Sequence, residues 1–241
     1  MKFSVPAVVN AKVYAGTTNS LVVYGLLSGV ATSVANAASG DSSAIAPGSL
    51  ASIYGSGLSP SIGIASASVS VNGIAAPILY AGPNQINFQV PFEASGTATV
   101  TVMAGGVKTG ASSVPIANTA PGVFLIAGQA AAENQDGSVN TSANPAAPAT
   151  VIAVYATGLG AVDPPVPTGA AASTTTLSMV AAAVTATVGG QPATVRFAGL
   201  APGYIGLYQV NLQLPQLAPG NYPVQISAGG VASNSATISI Q

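Results

Sequence analysis

The stretch QINFQVP, residues 85–91, recurs later in this sequence as QVNLQLP, residues 209–215. In both stretches apolar residues alternate with Gln and Asn, which is the period of a β-strand that has one face in a core and the other in water. The proline that ends each stretch lacks a backbone N–H and is typical of the end of a strand. The two stretches therefore predict equivalent strands in two copies of one domain.

Three further blocks repeat in the same order along the chain. Residues 53–58 (IYGSGL) match 154–159 (VYATGL), residues 71–82 match 188–199, and residues 104–107 and 228–231 both read AGGV. Ordered self-similarity of this kind indicates an internal duplication.

Short turn signals separate the repeated blocks. The dipeptides Asn72-Gly73, Gly105-Gly106, Gly189-Gly190 and Gly229-Gly230 tolerate positive φ and predict two-residue β-hairpins. Short strands with such turns, in units of about 100 residues, are typical of β-sandwiches, with a closed barrel as the alternative. The predicted fold class is all-β, with tandem immunoglobulin-like β-sandwiches and very little helix. We expect an N-terminal extension at residues 1–32, a first sandwich at 33–127, a connecting segment at 128–148 and a second sandwich at 149–241.

The composition excludes several classes of partner. Lys and Arg number 4 and Asp and Glu number 5, so that 4% of the chain is charged, against roughly 25% in a typical soluble domain. Binding to nucleic acid or anionic lipid needs clustered basic residues, so neither partner is expected. A nearly uncharged surface provides little repulsion between copies of the chain and favours self-association.

The residue types needed for most enzymes are scarce. The chain has no His and no Cys, which removes the usual base of a hydrolase triad and the common ligands of transition metals. Among the five acids only Glu133 and Asp136 lie close together in the sequence. They could bind Ca²⁺, although the EF-hand spacing is absent, and the reading we favour is an Asp-Gly turn at Asp136. We predict a protein that is not an enzyme and needs no cofactor.

Two pairs of tyrosines are candidates for contacts. Tyr204 and Tyr208 lie at an insertion that the first copy lacks, and they are the better candidates for an exposed contact, with a strand lengthened over a bulge as the alternative. Tyr54 and Tyr155 occupy equivalent positions in the repeat. They could serve as aromatic platforms for sugar, but we expect them to pack in the core or at a sheet edge.

The N-terminal region contains a ten-residue apolar run, residues 21–30. One reading is a signal peptide, since residues 34–37 (VANA) have the small-x-small form of a cleavage site. The other is an ordered strand that could pair with a sheet edge of another subunit. The candidate assembly residues are Leu21, Val22, Val23, Tyr24, Leu26 and Leu27. The run is shorter than the ~20 residues that cross a bilayer, so no transmembrane helix is predicted.

The order of signals in each copy resembles the IPT/TIG class of early-set immunoglobulin-like domains. Further motifs, at residues 36–39, 45–50, 119–124, 134–138 and 155–160, resemble an uncharacterised C-terminal module of large secreted proteins in Acidobacteria. This resemblance spans about residues 33–241 and implies a secreted or cell-surface location and a tandem sandwich. The family has no established activity or binding residues to carry over.

Together these features give two hypotheses for the function. The first is a non-enzymatic extracellular structural protein that associates with copies of itself, at the cell surface or in a filament, through strand edges. The alternative is an extracellular binding module for polysaccharide or a protein partner, acting through loops or through Tyr204 and Tyr208.

Overall fold

The computed structural model describes residues 7–9, 12–16, 19–25 and 30–241. The fold is all-β, as predicted, and the described residues contain one short helical element, the 3-10 turn Ile64–Ser66. No helix among the described residues is long and apolar enough to cross a membrane.

The N-terminal strands form a small antiparallel sheet of their own. It has the order β1-β2-β3, with β1 at Ala7–Val9, β2 at Lys12–Gly16 and β3 at Leu21–Gly25. Within the described part of the chain these three strands pair only with one another.

The first unit is a sandwich of two four-stranded antiparallel sheets, with the orders β4-β5-β9-β8 and β11-β10-β6-β7. Alternating residues of both sheets face inward and form one buried core that includes Ile53, Ile86, Phe88 and Val100. Its strands are β4 Val30–Asn36, β5 Leu50–Ser56, β6 Ser68–Val71, β7 Ile74–Ala76, β8 Ile78–Ala81, β9 Gln85–Gln89, β10 Thr97–Ala104 and β11 Val107–Pro115.

Strand β4 contains most of the predicted cleavage site at residues 34–37. Val34, Ala35 and Asn36 are buried, and β4 pairs with β5 along almost its whole length. Cleavage after Ala37 would remove this strand from the sheet. The signal-peptidase site at residues 34–37 therefore stays a prediction, and it competes with the pairing of β4 in the first unit.

The second unit has its own core and a longer hydrogen-bonded path, β12-β16-β21-β20-β19-β22-β23, with further strands at its edges. The hairpin β13-β14 lies beside it. Its strands are β12 Gly122–Val123, β13 Leu125–Ile126, β14 Gln129–Ala130, β15 Ala132–Glu133, β16 Val151–Thr157, β17 Val162–Asp163, β18 Met179–Val180, β19 Val184–Val188, β20 Gln191–Leu200, β21 Tyr208–Gln213, β22 Gly220–Ala228, β23 Val231–Ala232 and β24 Ala236–Ile240.

One proline explains why the two units divide their sheets differently. Pro77 separates β7 from β8, which belong to opposite sheets of the first unit. In the second copy Thr194 occupies the equivalent position, and β20 continues through it. The residues of β20 before Thr194 pair with β19, and those from Thr194 onward pair with β21. A proline cannot donate a ladder hydrogen bond, so it ends a strand that threonine lets continue.

All four predicted two-residue hairpins are confirmed. They join β6 to β7, β10 to β11, β19 to β20 and β22 to β23. Both residues of each dipeptide have positive φ, including the non-glycine Asn72, as hairpins of this kind require.

Residues 122–146, which we expected to be shared between the first sandwich and the connecting segment, contribute to the second unit. Strands β12 and β15 pair with β16, and Val123, Ala132 and Ala146 are buried in the second core. The reason is that the edge of β16 carries backbone N–H and C=O groups that these short strands satisfy.

Backbone and side-chain hydrogen bonds join the two units. The Leu50 N–H donates to Oγ1 of buried Thr157 at 2.8 Å, and that hydroxyl donates to the Gly206 carbonyl at 3.0 Å. The Gly169 N–H donates to Oε1 of Gln89 at 2.7 Å. These bonds fix one end of the first unit against loops of the second.

Candidate functional site

The outward face of the β4-β5-β9-β8 sheet carries a row of polar and aromatic side chains. Since side chains alternate along a strand, Ser52 and Tyr54 point outward from β5 while Ile53 faces the core. Gln85 and Asn87 point outward from β9 in the same way. The register pairs Tyr54 with Gln85, and Ser52 with Asn87.

The two amides on β9 are held in one orientation. Gln85 Nε2 donates to Asn87 Oδ1 at 2.8 Å, and Ser52 Oγ donates to the same oxygen at 2.9 Å. Because Oδ1 accepts both bonds, the Nδ2 group of Asn87 lies on the other side of the amide. The amide pair is thus fixed before any ligand arrives.

A second tyrosine completes the row on β8. A bulge between Ile78 and Tyr80 brings Tyr80 opposite Asn87, on the outward face. Its ring lies over Gly82, where a Cβ atom would come within 2.8 Å of the hydroxyl oxygen. Tyr54 is 38% exposed and Tyr80 is 41% exposed. We call Tyr54, Tyr80, Gln85 and Asn87 the first platform.

From the sequence alone, Tyr54 was a candidate for a sugar contact, whereas the other three residues of the first platform were not identified. Tyr54 was considered as a sugar platform but was expected to pack, whereas its ring lies outside the core. Tyr80 was missed because a regular strand would have placed it differently from a bulged one. The repeated alternation of Gln and Asn with apolar residues was the signal that could have found the amide pair.

The structure separates the two tyrosines of the insertion. Tyr204 is 60% exposed on the loop between β20 and β21, while Tyr208 is fully buried. The prediction that Tyr208 makes an exposed contact is wrong, because it begins β21 on the same inward face as Val210 and Leu212. Its hydroxyl donates to the Gly160 carbonyl at 2.5 Å, and burial raises its pKa.

The two acids proposed for calcium have separate partners. The Asp136 carboxylate accepts hydrogen bonds from the backbone N–H and the hydroxyl of Ser138, which lower its pKa. Glu133 Oε2 accepts a bond of 3.0 Å from the Tyr155 hydroxyl. Burial, followed by this carboxylate, raises the pKa of Tyr155 to about 12. In the described ranges no group of three or more acidic, His or Cys residues could hold a metal ion.

A shallow cleft of about 460 Å³ lies beside Asp136. The amides there are bonded within the protein: Asn140 Nδ2 donates to Asn134 Oδ1 at 2.9 Å, and Asn144 Nδ2 donates to Ser138 Oγ at 2.7 Å. These bonds hold the connection between β15 and β16 in place, which is a structural role.

Strand β3 contains four of the six assembly candidates. Leu21 and Val23 are exposed, Val22 is partly buried, and the backbone of Tyr24 pairs with β2. Leu26 and Leu27 lie outside the described residues.

Comparison with known proteins identifies the class of the first unit. The family model of the IPT/TIG domain matches residues 38–117, which confirms the predicted immunoglobulin-like fold there. No curated protein sequence matches the chain.

Several solved structures are similar to the chain at low identity and low TM-score. The surface glycan-binding protein SGBP-B of the Bacteroides ovatus mixed-linkage glucan utilization locus, in complex with a mixed-linkage heptasaccharide, is 15% identical, with a TM-score of 0.36 over 83% of this chain and 44% of that one. The surface glycan-binding protein PbSGBP-B of Prevotella bryantii is 11% identical, with a TM-score of 0.30 over 86% of this chain and 41% of that one. Fibronectin(III)-like modules of Clostridium thermocellum CbhA are 13% identical, with a TM-score of 0.23 over 86% of this chain and 92% of theirs. The chain spans less than half the length of the two glycan-binding proteins.

Proposed function

We propose that this chain is a non-catalytic, extracellular binding module that holds an uncharged polysaccharide on the first platform. The observation that carries the proposal is the arrangement of two exposed tyrosines, Tyr54 and Tyr80, around the fixed amide pair of Gln85 and Asn87. The extracellular location is supported by the resemblance of the sequence motifs to modules of secreted proteins.

The chemistry of the first platform suits sugars. A tyrosine ring offers a flat apolar surface with a polar tip, at a low cost in side-chain entropy. Amides donate and accept hydrogen bonds, as sugar hydroxyls do, and Asn87 presents its Nδ2 donor because its oxygen is already bonded. A site with a few placed polar groups among aromatic rings is the general form of a small-ligand site.

Charge restricts the ligand to an uncharged polymer. The residues of the first platform are all uncharged, and only 4% of the whole chain is charged. A polyanionic ligand would need clustered Lys or Arg to offset the loss of its counterions. We therefore expect neutral glycans to bind and acidic ones not to bind.

The proposal is tested by electrophoresis of the protein through gels that contain mixed-linkage β-glucan, xyloglucan, galactomannan or pullulan, with polygalacturonate as the acidic comparison. At least one neutral polymer should retard the protein, and Tyr54→Ala and Tyr80→Ala should each weaken binding about tenfold or more, as for a central aromatic contact. Both residues are exposed, so unfolding temperatures should change little.

Ile74→Ala is the matched control, because Ile74 is 37% exposed on the opposite sheet of the same unit. It should bind as the wild type does. Wild-type protein that no neutral polymer retards would refute the proposal, and so would Tyr54→Ala and Tyr80→Ala variants that bind normally.

Self-association through β3 is the second candidate. It is supported by the position of β3 at the edge of its sheet and by the exposed Leu21 and Val23. Sedimentation velocity of the wild type and of Val23→Lys tests it: a concentration-dependent oligomer that the lysine disrupts supports it, and a wild-type monomer at all concentrations refutes it.

A further inference from the structure

The second unit carries the same outward-facing arrangement as the first platform. The register pairs Tyr155 with Gln209 and Phe197 with Asn211, as it pairs Tyr54 with Gln85 in the first unit. Gln209 Nε2 donates to Asn211 Oδ1 at 2.8 Å, the same bond and distance as in the first unit.

The local backbone features are repeated as well. A bulge between Val195 and Phe197 turns the aromatic ring outward, as the bulge before Tyr80 does. The Phe197 ring lies beside Gly199, where a Cβ atom would come within 2.7 Å of the ring and closer still to the Ser178 carbonyl oxygen. The glycine leaves room for both the ring and this neighbouring backbone.

Packing of the cores does not explain why the two units share these outward-facing residues. The core needs the inward residues, whereas the outward row is exposed or partly exposed and is less restricted by packing. The copies differ at most other outward positions, including Ser52 and its counterpart Ala153. Retention of a tyrosine, an amide pair and an aromatic ring in one outward row is therefore better explained by a shared ligand.

The second unit adds two groups around this row. Glu133 on β15 accepts a hydrogen bond of 3.0 Å from the Tyr155 hydroxyl. Tyr204, 60% exposed, lies close enough to Tyr155 to influence its pKa. Its loop is fixed by the bond of 3.0 Å from Thr157 Oγ1 to the Gly206 carbonyl. We call Tyr155, Gln209, Asn211 and Phe197, with Tyr204 beside them, the second platform.

The junction brings the two platforms near each other. Thr157 lies two residues beyond Tyr155 on β16, and it accepts the bond of 2.8 Å from Leu50, four residues before Tyr54 on β5. At about 3.3 Å per residue, the two tyrosines lie within roughly 25 Å of each other along the backbone path. One polysaccharide chain can cover such a distance, whereas a monosaccharide or disaccharide cannot.

We propose that the second platform is a second binding site for the same uncharged polysaccharide, so that each protein chain holds the polymer at two points. This inference rests on the proposed function of the first platform. Binding at two linked sites makes the second contact intramolecular, and it strengthens binding of a polymer by ~10²-fold or more relative to a fragment that fills one site.

The test is titration calorimetry of the full chain with the neutral polysaccharide that retards it best and with a trisaccharide cut from that polymer, which is too short to cover both platforms. The wild type should bind two trisaccharides per chain. Gln209→Ala combined with Asn211→Ala should leave one site and weaken polymer binding at least tenfold, and so should Tyr54→Ala combined with Tyr80→Ala. Tyr204→Ala, which removes an exposed ring, provides a second-platform variant that should fold normally.

The outcomes separate the two proposals. If the wild type binds one trisaccharide and both second-platform variants bind polymer normally, the second site is refuted and the first platform stands. If the wild type binds no neutral polymer, the proposed function fails and this inference fails with it.

Discussion

Replacing Thr157 by valine tests whether one hydroxyl group joins the two units. Valine has nearly the shape of threonine, so the change leaves no cavity. It removes the acceptor of the Leu50 N–H, at 2.8 Å, and the donor to the Gly206 carbonyl, at 3.0 Å. Thr157 is fully buried, so water is not available to replace the lost hydroxyl.

The expected loss follows from the two backbone groups that remain. A buried polar group left without its partner costs about 1–3 kcal/mol. Two such groups give a loss of about 2–6 kcal/mol in the free energy of unfolding, which lowers the unfolding temperature by roughly 4–24 °C for a chain of this size. Thr157→Ser keeps the hydroxyl and loses one methyl group, which costs about 1 kcal/mol.

Thermal and urea unfolding of the wild type and both variants measure these differences. The order of stability should be wild type, then serine, then valine. If Thr157→Val is as stable as Thr157→Ser, or within about 0.5 kcal/mol of the wild type, the size of an ordinary surface change, then the hydroxyl does not hold the units together. The junction would then depend on its other bonds, such as the one from the Gly169 N–H to Gln89 Oε1.

Two further predictions concern buried and half-buried phenols. Tyr208→Phe should lower the free energy of unfolding by about 1–3 kcal/mol, because the Gly160 carbonyl loses its donor; unchanged urea unfolding would contradict this. Folding raises the pKa of Tyr155 from 10.0 to about 12, so its contribution to stability is complete below the unfolded pKa and is lost as the pH rises from about 10 to 12. Glu133→Gln should lower this pKa, as followed by phenolate absorbance, and a Tyr155 titration that does not move would show that the carboxylate has no such effect.

Local patterns were sufficient for the parts of the fold that depend on neighbouring residues. The four glycine-containing dipeptides predicted two-residue hairpins, because positive φ at both positions is a property of the dipeptide itself. The strand at residues 85–91 was predicted by its own alternation. The first platform was only partly visible, since alternation shows that Gln85 and Asn87 face water but not which side chains lie on the neighbouring strands.

Features that depend on distant residues were not predicted from the sequence. Residues 122–146 gave no strong strand signal, and they form strands because the edge of β16 offers them hydrogen-bond partners. Tyr208 was expected to be exposed because it lies at an insertion that the first copy lacks, but the register of β21 with β16 and β20 turns it inward.

The all-β class, the duplicated blocks, the hairpin turns and the near absence of charge follow from the amino-acid sequence alone, because each is set by local composition and period. Which outward side chains meet depends on the pairing of distant strands in the folded protein. The bulges before Tyr80 and Phe197 and the pairing of three strands bring each tyrosine, amide pair and aromatic ring into one row. The bonds of Thr157 then join the two units that carry these rows. Such a row is made across strands that are distant in the chain, so no window of sequence contains it.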